Sequence, residues 1–294
     1  MTSLSKPIIY GEVLFDCFPD GAQVLGGAPF NVAWHLQAFG DAPKFISSIG
    51  DDSQGKQVLR SMQDWEMETA NVQQSTKYPT GRVDVRLENH EPHYDIVEDC
   101  AYDFIQKPDD SEIQSSDLLY HGTLALRNAS SRQTLEAIAQ EKSPSIFLDV
   151  NLREPWWQKE DVLSWLSRAR WVKLNHHELN ILSNATADTE AQMKSLYDKY
   201  QMELLIVTQG ENGATVLGKD GKLVQAKAPK PQKFVDTVGA GDAFTALFIH
   251  GLLNAMPTEE CLHSSLEFAS KVVGLRGATT SDRAFYAEFI GEHF

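Results

Sequence analysis

The run Asp236-Thr237-Val238-Gly239-Ala240-Gly241-Asp242 places an acid at each end of a glycine-flexible loop. Ala243, Phe244, Ala246, Leu247, Phe248, Ile249 and Leu252 follow at once and read as a helix over 241–254. A loop of small residues that opens a helix turns several backbone N–H groups toward one point, which attracts phosphate. Asp242 stands at that same point. A carboxylate there would repel a phosphate unless it had chemical work to do, so the pattern points to phosphoryl transfer with Asp242 as the base. A second loop, Gly26-Gly27-Ala28-Pro29-Phe30-Asn31, allows close approach of backbone to a ligand. Asn31 offers both a donor and an acceptor, suited to a sugar hydroxyl. Taken alone, that loop is equally a capped helix start.

Further polar residues stand where apolar runs end: Asp16, Asp149-Val150-Asn151, Asn175 and Thr208. In open α/β sheets ligands sit at the carboxyl ends of strands, so these residues would converge on one rim. Asn175 and Glu178 lie three apart and share a face if a helix begins there. Two readings stay open for this pair. It could organise Mg²⁺ through water near phosphates, or it could be a capping box. No GxxxxGK[ST] occurs, and the Gly239-Ala240-Gly241 loop has Phe244 where a dinucleotide loop needs its third glycine. Hydride transfer is therefore disfavoured.

These residues need a scaffold, and the hydropathy pattern describes one. Ile8 to Phe15, 44–50, 118–122, 145–150, 171–175 and 204–208 read as buried strands. Helical segments fall at 26–40, 54–63 and 130–141, and a final pair at about 241–254 and 259–273. Apolar strands alternating with helices imply a mainly parallel sheet covered on both faces. Two stretches, 81–87 and 93–97, alternate polar and apolar around a turn at 89–92, the sign of a half-exposed hairpin and a candidate lid. A further hairpin is expected from 214–217 and 222–224.

Composition narrows the function classes. The net charge of −15 argues against a nucleic-acid surface or an anionic membrane partner, and requires a phosphate site to be positive only locally. Cys17, Cys100 and Cys261 have neither disulfide nor zinc spacing. Met1 to Lys6 lacks a basic segment leading into an apolar core, and no run approaches the ~18 apolar residues of a membrane span. A cytoplasmic protein is the expectation.

Gly26-Gly27-Ala28-Pro29-Phe30-Asn31-Val32-Ala33 resembles the N-terminal signature of the ribokinase-like (PfkB) carbohydrate kinases, and Asp236 to Phe244 resembles their C-terminal signature. Asp149 to Arg153, Lys173 to Glu178 and Thr208 to Gly213 match intermediate segments in the family's order. The resemblance implies a three-layer α/β/α ribokinase-like fold with a mainly parallel central sheet. It would be a single domain over 1–294 with a small β-sheet lid formed from about 12–25 and 80–104. It implies an ATP-dependent kinase acting on a sugar hydroxyl. Asp242 would be the base, and Gly239, Ala240 and Gly241 the anion hole. Asp16, Gly27, Asn31 and Asp242 would bind the sugar, with Arg153 near the reacting groups. Asn175, Thr208, Gly210 and Gly213 would join Gly239 and Gly241 at the nucleotide, and Asn175 with Glu178 would organise Mg²⁺. A monovalent cation, K⁺ by the family's pattern, would lie among Asp236, Val238, Val272, Leu275, Gly277 and Ser281. Gly11 to Asp16, the GGAPFNVA form, and Arg153 followed by Trp156-Trp157 resemble bacterial fructokinases, so fructose to fructose 6-phosphate is the expected reaction. The alternatives are 2-keto-3-deoxygluconate, ribose or adenosine as acceptor, or a silent sugar sensor on the same fold. Unpaired lid edges invite pairing, which leaves a homodimer through that edge open, and the sequence does not decide it.

Overall fold

A computed structural model describes residues 6–88, 91–109, 113–183 and 188–293. The chain opens with β1 (Pro7–Tyr10), β2 (Leu14–Cys17), β3 (Gln23–Gly26), α1 (Ala28–Ala38), β4 (Lys44–Gly50), α2 (Ser53–Asp64), β5 (Val72–Ser75), β6 (Gly81–Glu88) and β7 (Glu91–Ile96). There follow β8 (Leu118–His121), α3 (Ala129–Lys142), β9 (Ser145–Asp149), α4 (Lys159–Leu166), β10 (Trp171–Asn175), α5 (His176–Ser183) and α6 (Thr189–Tyr200). β11 (Leu204–Thr208), β12 (Ala214–Gly218), β13 (Leu223–Ala226), α7 (Ala240–Leu253), α8 (Thr258–Val272) and α9 (Arg283–His293) complete it.

Nine strands form the main sheet in the order β13-β12-β11-β10-β9-β8-β1-β4-β5. β12 and β13 run antiparallel to their neighbours, and the other pairs are parallel. Successive strand residues point to opposite faces, which divides the core in two. Ile9, Phe147 and Ile206 pack with α1, α2, α7, α8 and α9, whereas Ile8, Leu148 and Leu205 pack with α3, α4, α5 and α6. Fully burying side chains such as Phe147 or Phe248 contributes about 1.5–3 kcal/mol each. Both faces of the sheet are thus covered, as the continuous apolar runs require.

A second sheet, β3-β2-β6-β7, stands apart from the first. It is not a plain hairpin: β2 pairs with β6 in parallel, while β3 and β7 are antiparallel edges. Part of the expected 89–92 turn, residues 89–90, lies outside the described residues, as do 1–5 of the N-terminal segment.

Several elements differ from the sequence-based expectation. Ile8 to Phe15 is not one strand. It breaks at Gly11, whose φ of 148° and whose missing Cβ, 2.5 Å from Pro29 Cγ if present, let the chain leave the large sheet for the small one. Hydropathy cannot register that break, because β1 and the start of β2 are both buried. β5, α4, α6 and the closing helix α9 were also not anticipated. α9 buries only Tyr286 and Phe289, too few positions to give a clear period. Among the described residues, no helix is long and apolar enough to cross a membrane.

Candidate active site

The loop before α7 is shaped by two requirements. Gly239 caps the helix at φ 79°, and a Cβ there would stand 2.3 Å from that of Ala278, so both conformation and space demand glycine. Asp236 accepts from the Val238 N–H through Oδ1 at 3.0 Å, and the N–H groups of Val235 and Asp236 donate to Val273 O at the end of α8. The acid at the head of the loop therefore holds its shape. The Ala240 N–H is engaged by Thr237 O at 3.2 Å, whereas those of Gly241 and Asp242 have no hydrogen-bond acceptor among the described residues. Two free amides at the positive end of a helix make a site for an anion.

Asp242 faces the second glycine loop. Asn31 Nδ2 donates to Asp242 Oδ2 at 2.8 Å across 211 residues of sequence. Asn31 sits in the first turn of α1 because Gly27 caps that helix at φ 107°; a Cβ on Gly27 would lie 2.7 Å from Glu12 O. Burial pushes the Asp242 carboxyl up to about 6; the Asn31 amide and the Lys173 and Arg153 charges oppose the rise, and Asp149 adds to it. Asp16, half-buried in β2 of the small sheet, is also raised by burial. In β3, Val24 Cγ1 lies 3.6 Å from where a Cβ on Gly277 would stand, so the small sheet reaches the segment that follows α8. Arg153 is exposed and donates from Nη1 to Leu152 O, and its charge reaches Asp242.

Beneath the loop lies a pairing that sequence reasoning did not give, between Lys173 and Asp149, the latter expected on the rim. Lys173 Nζ donates to both Asp149 oxygens, at 3.1 and 2.9 Å, and both residues are buried. Thr245 Oγ1 lies 3.0 Å from Asp149 Oδ2 and 2.9 Å from Gly241 O. A Cβ on Gly241 would stand 3.4 Å from Lys173 Nζ, which puts the ammonium against the anion loop. Asp149 raises the Lys173 value enough to outweigh burial, so the ammonium stays charged. The signal available in the sequence was a lysine inside an otherwise apolar strand, Trp171 to Leu174.

Asn175 and Glu178 form a reciprocal cap at the start of α5. The Asn175 N–H donates to Glu178 Oε2 at 2.8 Å and the Glu178 N–H to Asn175 Oδ1 at 2.9 Å. Glu178 Oε1 accepts from the Leu152 N–H at 2.8 Å. Each carboxylate oxygen keeps a second lone pair, so the cap leaves room for a water-bridged metal. Burial raises the Glu178 carboxyl, with Asp149 adding and the two backbone donors and Lys173 opposing. Thr208 ends β11 beside Asn175, and the pair lines a cleft of about 600 Å³ with His176, His177, Gln209, Gly210 and Asn212. That volume suits a nucleotide-sized ligand. Gly213 is not among the cleft's lining residues. Its φ of 94° and a Cβ position 2.0 Å from Ala226 O give it a turn-forming role. Of the expected cation ligands, Val272 ends α8, one residue before the Val273 carbonyl that the Asp236 N–H reaches, and Leu275, Gly277 and Ser281 follow it in the chain.

A loop of amides, a base-like carboxylate and a nucleotide-sized cleft on the rim of one α/β sheet are the parts of a phosphotransferase. The family described as pfkB family carbohydrate kinase matches residues 18–284, and the chain belongs to it. It is a sugar kinase with the ribokinase-like fold. It is 29% identical to the fructokinase of Salmonella typhimurium, with 96% of each chain covered. It is 30% identical to that of Klebsiella pneumoniae, with 83% of each covered. The structure of Vibrio cholerae O395 fructokinase bound to fructose, ADP and a calcium ion superposes with a TM-score of 0.79 at 26% identity, covering 97% of this chain and 98% of that one.

Proposed function

We propose that this protein transfers the γ-phosphoryl group of ATP to fructose, giving fructose 6-phosphate. The observation that carries the reading is the Asn31–Asp242 hydrogen bond, which joins the two glycine loops at the N-terminus of α7. Likeness to proteins named fructokinase supports the choice of sugar. Asp16, Gly27 and Asn31 hold the acceptor. Asp242 accepts the proton of the attacking hydroxyl as the new bond to phosphorus forms, while the free amides of Gly241 and Asp242, rather than that of Ala240, receive the charge on the transferring oxygens. Lys173 adds a fixed positive charge behind that loop, and Arg153 adds one from the acceptor side. The nucleotide lies in the cleft of Thr208, Gly210 and Asn175, with Gly213 shaping the turn that closes it. Among the described residues no group of acids, histidines and cysteines could cage a metal, so Glu178 and Asn175 would hold Mg²⁺ through water. When bound with the phosphates, Mg²⁺ neutralises their charge. Asp236 and the carbonyls about Val238, Val272, Leu275 and Gly277, with Ser281, would hold K⁺ beside the loop. A protein spending ATP on a free sugar belongs in the cytoplasm.

ADP release over a panel of sugars and nucleosides tests the reading. Fructose should give the highest kcat/KM. A clear preference for ribose, adenosine or 2-keto-3-deoxygluconate would reverse the assignment, and tight sugar binding with no ADP formed would indicate a sensor.

A further inference from the structure

Thr245 is fully buried in α7, next in the chain to Ala243, Phe244, Ala246, Leu247, Phe248 and Ile249, all of them buried and apolar. A hydroxyl in such a place opposes folding unless it is hydrogen-bonded. It has two acceptors within reach. Asp149 Oδ2 lies 3.0 Å away, across 96 residues of sequence, and Gly241 O lies 2.9 Å away, one helical turn back. A hydroxyl has one hydrogen, so it serves one acceptor at a time, and an ionised carboxylate is the stronger of the two. Asp149 ends β9 and also accepts two bonds from the Lys173 ammonium of β10, at 3.1 and 2.9 Å. Three elements, β9, β10 and α7, therefore meet at one buried carboxylate. Gly241 touches this cluster twice. Its carbonyl lies against Thr245 Oγ1, and the Lys173 ammonium stands 3.4 Å from the point where a Cβ would be.

The free amides that face an anion belong to Gly241 and Asp242, in the first turn of α7. That turn is not stiff by itself, because Gly239 and Gly241 flank Ala240 and glycine restrains the backbone least. Donors that stabilise a developing charge must be held within about 0.5 Å of their working position. We infer that Thr245 is a positioning residue for the phosphoryl transfer: its hydroxyl ties the first turn of α7 to the Lys173–Asp149 pair and so fixes the Gly241 and Asp242 amides against the transferring oxygens. The inference rests on the reading of those amides as the anion site and of Asp242 as the base. A back-bond to Gly241 O alone would give Thr245 no such role, since bonds of that kind slightly destabilise a helix.

The test is the steady-state kinetics of Thr245→Val, which keeps the branched shape and removes the hydroxyl, beside Thr245→Ser, which keeps the hydroxyl. Loosened amides lose more in the transition state than in the ground state. For Thr245→Val, kcat should therefore fall about tenfold while the KM values for the sugar and for ATP each change less than about threefold. Thr245→Ser should stay within about threefold of the wild-type kcat. A folded Thr245→Val enzyme with wild-type kcat overturns the inference. So does a loss that falls mainly on KM, or one that Thr245→Ser shares in full. Should Thr245→Val not fold, Thr245→Ala removes the same hydroxyl and is judged by the same outcomes. Asp242→Asn is measured alongside. Near-normal turnover there defeats the base reading itself, whereas a dead Asp242→Asn beside a wild-type-like Thr245→Val defeats only the role of Thr245.

Discussion

A carboxyl group whose proton affinity has been lifted toward neutrality accepts a hydroxyl proton more readily than one at its ordinary value. Asp242 is so lifted, from 3.8 to about 6, because burial disfavours its charge more than Asn31, Lys173 and Arg153 restore it. Asp242 must be ionised to act as base, so kcat/KM should rise with pH through about 6 and level off above it. Replacing it with Asn should cut kcat by about a thousandfold or more, within the range seen for general bases. The same change should stabilise the fold. A carboxyl raised on folding costs stability above its folded value of about 6, and that cost disappears below 3.8. Asp242→Asn should therefore melt roughly 2–4 °C higher in alkaline buffer. The gain should shrink as pH falls toward 4, and a melting difference that ignored pH would show the carboxylate to be unstrained. Asn31→Ala removes a hydrogen bond that lowers the Asp242 value, so its acid limb should shift to higher pH.

At the scale of elements, α7 depends on a single backbone turn. Gly239→Ala combines a left-handed conformation with a collision against Ala278, so it should lower kcat at least about a hundredfold, as loss of an oxyanion-type donor does, and broaden thermal unfolding. Much of this element was legible beforehand, because small residues ahead of an apolar run announce both a helix start and its anion-binding end. The α1 loop was legible for the same reason. Lys173 was not, and Asp149 was expected on the rim but not as its partner. Each sits within or just after an apolar strand, and their meaning lies in partners 24 residues or more away. Spacing within one segment carries no record of such pairings. The Asn175–Glu178 pair shows the opposite limit: its capping geometry was readable, yet a cap and a water-bridged metal site use the same two residues at the same spacing. Gly11 shows a third. A glycine inside an apolar run gives no sign whether the strand continues or crosses into another sheet.

For the molecule as a whole, the small sheet carries Asp16 in β2, and its neighbouring strand β3 leads into the Gly27 turn and Asn31, the residue that reaches Asp242. If the small sheet closes on the sugar, fructose should slow amide exchange in β6 and β7 more than in β12 and β13, which lie at the far edge of the large sheet. Equal exchange in both regions would remove the lid from the account. The proposed cation beside the loop makes a separate claim: replacing K⁺ by choline at constant ionic strength should lower kcat, and an unchanged rate would remove the site. The most direct test of the central claim is ADP release with fructose by the wild-type enzyme and by Asp242→Asn, with the product's phosphate located by phosphorus NMR. The account predicts fructose 6-phosphate in step with ADP for the wild type and about a thousandfold less for the variant. Phosphate on another sugar hydroxyl, or a variant that turns over like the wild type, would contradict it.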